Sequence, residues 1–430
     1  MEFNNAIHGD NSVSDLYESD ECDLGDELEG AAETQSIGIT TAVTAAEMGR
    51  KGGSSRTLAK RLTAKTNGKL GGRPRKTLAT ASSNTNPVTY ADININRGVW
   101  ETFSPTQMCE YQEKVFAYYR SAGFPFKYTA AQVQDDYRKL INYDYRKTVS
   151  GDTIAQVMHG QTLCWSFHPH AWSVECGNML TPVQAFRDDT LLRKVIAKRI
   201  AYGDNMSDAG LRKALKTYSG VQAVSNFRAL SAAAIYDLLL PAEGGHVYDP
   251  SAGWGGRLLG ALICDKVRSY TATDPSIATW VGNEQLKTEY NKRDIPVVLG
   301  NLGSENVRPD PDSKDLVLTS PPYFNCEKYS DEPTQSSTKY PGRDEWMNDF
   351  MRRTLENCHY GLKPTGILAI NIANVRSYST LEDDFVGLAA ACGFRLVRTL
   401  KLALSVMMGT RQAGGDKFKF EPIFVFQKAL

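Results

Sequence analysis

Large apolar residues are sparse over roughly the first 95 positions, where Gly, Ser, Thr, Asn and like charges dominate. So little apolar area cannot offset the entropy of ordering the chain, and a disordered leader is expected over 1–95. Val43, Ala46, Met48, Leu58 and Leu62 would suit a short helix over 41–65, but Gly49, Gly52 and Gly53 interrupt it. From Val99 aromatic and aliphatic residues become dense, with helical spacing over 111–119 and 130–141. The period returns over 181–215, where Leu191, Leu192, Val195 and Ile196 share a face. Between these stretches, Trp165-Ser-Phe-His-Pro-His-Ala-Trp172 sets a proline among aromatics and reads as a packed loop. The pattern predicts a mainly helical domain over 96–215.

From about position 216 the texture changes. A helical stretch over 227–239 leads into a short apolar strand at 246–248, a Gly-rich turn and another helix. Further strands are expected at 270–273, 296–299, 315–319, 366–371, 394–397 and 423–426, alternating with helical segments. Such alternation predicts an α/β domain over 216–430, with a mostly parallel sheet covered on both faces.

The 430 residues are 41% hydrophobic, enough for two domains plus tails. No apolar run approaches the roughly 20 residues that span a bilayer, and the N-terminus is acidic where a secretory signal would be basic, so a cytoplasmic protein is expected. Eight cysteines without paired spacing read as reduced thiols. Cys164, His168, His170 and Cys176 match no common zinc module, and no metal is expected.

The formal net charge of zero conceals a polarised leader. Met1 to Gly49 holds twelve carboxylates and no Lys or Arg; Arg50 to Lys76 holds ten Lys or Arg and no acid. Within the basic part, Gly71-Gly72-Arg73-Pro74-Arg75-Lys76 resembles the core of an AT-hook. Proline extends the backbone, and Arg73, Arg75 and Lys76 suit the negative potential of a narrow minor groove. A general phosphate-attracting tail is the alternative. Arg193, Lys194, Lys198, Arg199, Arg212, Lys213 and Lys216 are further candidates to face phosphates.

Two motifs carry chemistry. Asp249-Pro250-Ser251-Ala252-Gly253-Trp254-Gly255-Gly256 sits where the first strand of the sheet turns into its helix, where glycines let backbone approach a ligand. Asp274, at the end of the next strand, is placed to accept hydrogen bonds from ribose hydroxyls. After the third strand, Asn301 offers a polar edge and Leu302 an apolar surface for an adenine ring. Gly-x-Gly-x-x-Gly is not met, because Leu258 stands at its last position, and this argues against a pyrophosphate ligand.

The second motif is Asp315-Leu-Val-Leu-Thr-Ser320-Pro321-Pro322-Tyr323, an apolar strand ending in a polar residue, two prolines and an aromatic. An exocyclic base amine is a poor nucleophile, because its lone pair is delocalised into the ring. The Ser320 hydroxyl and the Pro321 carbonyl can accept its hydrogens and aim that lone pair at an electrophilic methyl group. Pro321 and Pro322 fix the backbone, and Tyr323 can stack on an extruded base. Cytosine C5 chemistry would need a thiolate, usually in a Pro-Cys dipeptide, and none occurs.

Together, the segment 249–256, Asp274 and Ser320-Pro-Pro-Tyr323 resemble the amino methyltransferases of DNA. Those enzymes modify cytosine N4 or adenine N6 and carry Asp/Asn/Ser-Pro-Pro-aromatic at the end of the fourth strand. The resemblance covers about the last 210 residues. It implies a class I, Rossmann-like methyltransferase sheet and S-adenosylmethionine as cofactor. It also implies catalysis by Ser320, Pro321, Pro322 and Tyr323, and DNA as partner. Cofactor contacts are implied for Asp249, Pro250, Ser251, Ala252, Gly253, Gly255, Asp274, Asn301 and Leu302, with Phe227 covering the cofactor. Serine at 320 favours cytosine N4, with adenine N6 still open. RNA or protein-amide methylation, and a non-catalytic DNA-binding role for the same fold, remain as alternatives.

Overall fold

A computed structural model describes residues 87–404 and 419–429. Most of the expected leader, including Arg73, Arg75 and Lys76, lies outside these residues. Residues ahead of position 96 already take part in the fold, because Ile93 is fully buried and its carbonyl accepts a 2.7 Å hydrogen bond from the Tyr111 hydroxyl.

Seven of the nine strands of the sheet are β1 (Gly245–Asp249), β2 (Val267–Thr273), β3 (Val297–Gly300), β4 (Lys314–Thr319), β5 (Leu362–Asn371), β6 (Phe394–Ala403) and β7 (Phe420–Lys428). Their order is 3-2-1-4-5-7-6. Pairing is parallel from β3 through β5, and β7 runs antiparallel to both its neighbours. The architecture is Rossmann-like α/β, as the alternating pattern predicts. Leu316, Val317 and Leu318 of β4 are all fully buried, as expected of a strand covered on both faces. A hairpin of Val149–Ser150 and Thr153–Ile154 lies along β6 and extends the sheet. Strand order reverses between β1 and β4, which opens a crevice at their carboxyl ends where such sheets take ligands.

Ahead of the sheet lie α1 (Pro105–Ala122), α2 (Ala130–Asn142), α3 (Gln161–Phe167), α4 (Asp189–Ala201) and α5 (Asp208–Tyr218). Capping boxes at Ser104 and Thr129 start α1 and α2. The predicted helical stretch 181–215 divides into three helices, because Thr181, Asp188 and Ser207 each cap a new start. The expected loop at 165–172 is corrected: its first residues belong to α3, and Pro169–Ser173 forms a 3₁₀ turn. No local cap announces α3. Asp136 of α2 supplies one instead, accepting from Gly160 N at 2.8 Å and Leu163 N at 3.0 Å.

These helices serve two cores. Ile93, Tyr111, Val115, Tyr119, Leu192, Ile196 and Leu211 pack together. Leu140, Ile154, Leu163 and Cys164 instead join the core beneath the sheet, with α6 (Ala229–Leu239) and α7 (Gly256–Ile263). Further along are α8 (Ile277–Tyr290), a π-helical turn at Trp346–Met351 running into α9 (Arg352–Gly361), and α10 (Leu381–Ala391). No described helix is long and apolar enough to cross a membrane.

Candidate functional site

The turn after β1 is built on a buried ionic knot. Asp249 is fully buried, and its Oδ2 accepts from Arg257 Nε and from the Tyr270 hydroxyl, each at 2.7 Å. Its Oδ1 accepts from Thr319 Oγ1 at 2.7 Å and from Ser251 N at 3.2 Å. Burial works against the Arg257 charge, but the adjacent Asp249 more than offsets it, and the guanidinium pKa moves up. Thr319 is the residue before Ser320, so the knot ties the end of β4 to the end of β1. Asp249 therefore shapes the site from within and presents no open oxygen to a ligand.

The glycines do present open backbone. Gly253 and Gly255 both take positive φ, at 58° and 81°. A Cβ at Gly255 would come within 2.9 Å of Leu286, whereas at Gly253 it would meet nothing nearer than 3.7 Å. The open Gly253 is clamped by its neighbours: Asp274 Oδ2 accepts from its N–H at 3.0 Å, and Asn283 of α8 donates to its carbonyl at 2.9 Å. Asp274 also accepts from Ser276 N, and Asn301 Nδ2 donates to the Asp274 carbonyl, both at 3.0 Å. Loops after β1, β2 and β3 thus form one cup. Burial raises the Asp274 carboxyl to about 6. Leu302 stands 54% exposed at the rim.

Pro250 and Ala252 are pinned to β2, through Thr273 Oγ1 to the Pro250 carbonyl (3.0 Å) and Ala252 N to the Thr273 carbonyl (2.8 Å). The Ser251 carbonyl accepts from Arg257. Phe227 lies over the Arg257 guanidinium at 5.5 Å, and its carbonyl comes so close to Gly256 that no Cβ fits there. It thus reaches the glycine turn.

Across the switch point, Ser320, Pro322 and Tyr323 are half-buried and Pro321 is buried. Ser320 Oγ donates to the Tyr323 hydroxyl at 3.4 Å, and that hydroxyl donates to Glu421 Oε2, also at 3.4 Å. Burial, followed by Glu421, holds the Tyr323 hydroxyl well above the ordinary tyrosine pKa. The motif ends at Phe324, whose φ of 56° is rare for an aromatic. A turn closed by Cys326 N to the Tyr323 carbonyl (3.2 Å) and packing of the Phe324 ring on Trp346 and Tyr378 hold that conformation.

Several participants carry no local signal. Glu421 lies 98 residues beyond Tyr323. Trp254 packs with Trp165, His168, His170 and Tyr329, so aromatics of α3 and the following turn buttress the glycine loop. His168, pushed down to about 4 by burial, donates from Nδ1 to the Cys164 carbonyl at 2.8 Å. After the motif, Glu327–Lys328 pairs with Glu175–Cys176 in a two-stranded clasp, so the segment that follows Tyr323 is tied to the helical part of the chain.

Two of the candidate phosphate-facing cations, Arg199 and Arg212, are engaged internally, while Arg193 stays on the surface. Arg193 pairs with Glu113 and covers the Phe116 ring. Arg199 donates to the Asn205 carbonyl, and buried Arg212 to the Pro125 carbonyl, each at 2.7 Å. A periodic row of cations does not reveal which of them fold inward. Lys194, Lys198 and Lys213 remain exposed.

No family model matches the chain, and no curated protein does. Similar solved structures include a putative RNA methyltransferase from Pyrococcus horikoshii, 14% identical with a TM-score of 0.32, covering 47% of this chain and 83% of that one. A SAM-dependent methyltransferase from Methanosarcina mazei is 15% identical with a TM-score of 0.31, covering 46% of this chain and 97% of its own. A 1,6-didemethyltoxoflavin-N1-methyltransferase from Burkholderia thailandensis, solved with S-adenosylhomocysteine, is 18% identical with a TM-score of 0.30, covering 46% of this chain and 77% of that one. Likeness at this level assigns no function.

Proposed function

We propose that this protein transfers a methyl group from S-adenosylmethionine to the exocyclic amine of a DNA base, with cytosine N4 favoured over adenine N6. The observation that carries the reading is the placement of Ser320-Pro-Pro-Tyr323 at the carboxyl end of β4, beside the Gly253 cup at the end of β1. The cup fits an adenosyl group: open backbone at Gly253, a half-buried carboxylate at Asp274 for ribose hydroxyls and the exposed Leu302 for the adenine face. When bound, the cofactor supplies a sulfonium methyl.

The chain's own residues do the rest. Ser320 Oγ and the Pro321 carbonyl accept the two amine hydrogens, favouring the pyramidal nitrogen whose lone pair attacks. The buried knot at Asp249 holds this acceptor pair in register with the cup through Thr319. The AT-hook-like Arg73-Pro-Arg75-Lys76, together with exposed Lys194, Lys198 and Lys213, favours a polyanionic substrate.

The test is transfer of labelled methyl to unmodified DNA, followed by mass spectrometry of the nucleosides. N4-methylcytosine or N6-methyladenine is expected, with rates falling roughly 10²- to 10³-fold in Ser320→Ala and Tyr323→Ala while S-adenosylhomocysteine still binds by calorimetry. Product on RNA or protein, with none on DNA, would replace the substrate assignment.

A further inference from the structure

The amine acquires a positive charge as it takes the methyl group and must lose a proton, yet Ser320 and the Pro321 carbonyl are not bases. Beyond Ser320 runs a chain of side chains that the motif does not predict: Ser320 Oγ to the Tyr323 hydroxyl to Glu421 Oε2, each link 3.4 Å. Its far end determines its direction. An ionised carboxylate only accepts, so Tyr323 must donate to Glu421; the tyrosine oxygen then accepts from Ser320, and the lone pairs of Ser320 are left facing the target.

We infer that Glu421 is a positioning residue that keeps Ser320 a hydrogen-bond acceptor and, through Tyr323, takes up the proton released by the methylated amine. This rests on the functional reading above. In the step, the nitrogen lone pair forms the N–C bond and the S–C bond breaks, its electron pair remaining on sulfur as a thioether. The N–H proton moves to Ser320 Oγ as the serine proton moves to Tyr323 and the tyrosine proton to Glu421, which later returns it to water.

The surroundings suit a proton acceptor. Glu421 faces Tyr323, Cys326 and Glu327 from the loop after β4, Asn371 from β5 and Glu382 from α10. Burial raises its carboxyl above the ordinary glutamate value, and Glu382 adds to the rise, while hydrogen bonds from Asn371 and Tyr323 oppose it. Glu327 is likewise raised by burial and coupled to Glu421. Links of 3.4 Å are long for hydroxyls, and such contacts commonly shorten when substrate fills a site.

The decisive measurement is the pH profile of kcat for the full chain with saturating nucleic acid and methyl donor. Wild type is expected to lose activity as pH falls through the raised Glu421 pKa, giving an acid limb above 4.5. Glu421→Gln should lower plateau kcat about 100-fold and abolish that limb. Glu421→Asp should restore part of the rate and the limb with it. Glu327→Gln, which removes a neighbouring negative charge, should move the limb to lower pH without erasing it. Tyr323→Phe keeps the ring and cuts the chain, so combining it with Glu421→Gln should cost little more than either change alone. Product formed by Glu421→Gln at wild-type kcat with an unaltered limb overturns the relay and leaves the methyltransferase reading standing. A wild-type protein that methylates neither DNA nor RNA overturns both.

Discussion

Two aspartates stand at the ends of neighbouring strands, at 249 and 274, and the molecule uses them in opposite ways. Asp249 at the end of β1 is fully buried and holds Arg257, Tyr270, Thr319 and the Ser251 amide. Among the described residues, the Asp274 carboxylate after β2 accepts only from the Gly253 and Ser276 amides and has no cation among its hydrogen-bond partners, and it is pushed up to about 6 by burial. A carboxylate whose lone pairs are filled internally fixes the shape of a loop. One that is desolvated yet short of donors keeps acceptor capacity for the hydroxyls of the proposed adenosyl ligand. Position in a motif does not distinguish these roles; the count of donors does.

The contrast breaks first at Asp249. Asp249→Asn leaves Arg257 buried without its counter-charge, and unfolding free energy measured by denaturant titration should fall by about 3–5 kcal/mol. Asp274→Asn should instead weaken S-adenosylhomocysteine by roughly 10- to 100-fold in calorimetry, with far less change in the denaturation midpoint. Equal destabilisation by the two changes would refute the division of labour.

pH sharpens the same contrast. Because the folded Asp274 binds its proton more tightly than the unfolded chain does, its contribution to stability is full at low pH and is lost as pH rises toward about 6. Ligand binding runs the other way: ribose hydroxyls donate to the ionised form, so affinity should rise through about pH 6 to a plateau in wild type. Asp274→Asn should flatten that dependence. Leu302→Ala, which removes only apolar surface at the rim, should cost about fivefold in affinity with no pH signature.

Much of this was legible in the chain. The apolar run at 315–319 marks β4, since a strand buried on both faces leaves little ambiguity, whereas 246–248 and 270–273, with His246 exposed and Thr271 half-buried, are marked as β1 and β2 by their alternation with helical segments. The cup and the Ser320 motif lie at strand ends, where local sequence carries both the turn and the chemistry. What stayed hidden depends on partners distant in sequence. The start of α3 is capped by Asp136, Arg212 is buried by Pro125 and Tyr128, and Glu421 acquires meaning only when β7 slots between β5 and β6.

The reversed direction of β7 has a consequence for synthesis. A parallel strand would deliver its final residue to the catalytic edge; β7 delivers its beginning, with Glu421 opposite Leu402 in the ladder. A slip of one residue would turn Glu421 to the opposite face of the sheet and bring Phe420 or Pro422 to its place. The Ser320 motif leaves the ribosome about a hundred residues earlier and the cup earlier still, so a nascent chain holds these loops before it holds the proposed proton acceptor. On the proposed relay, the in-register pairing of β7 is the step that completes the site.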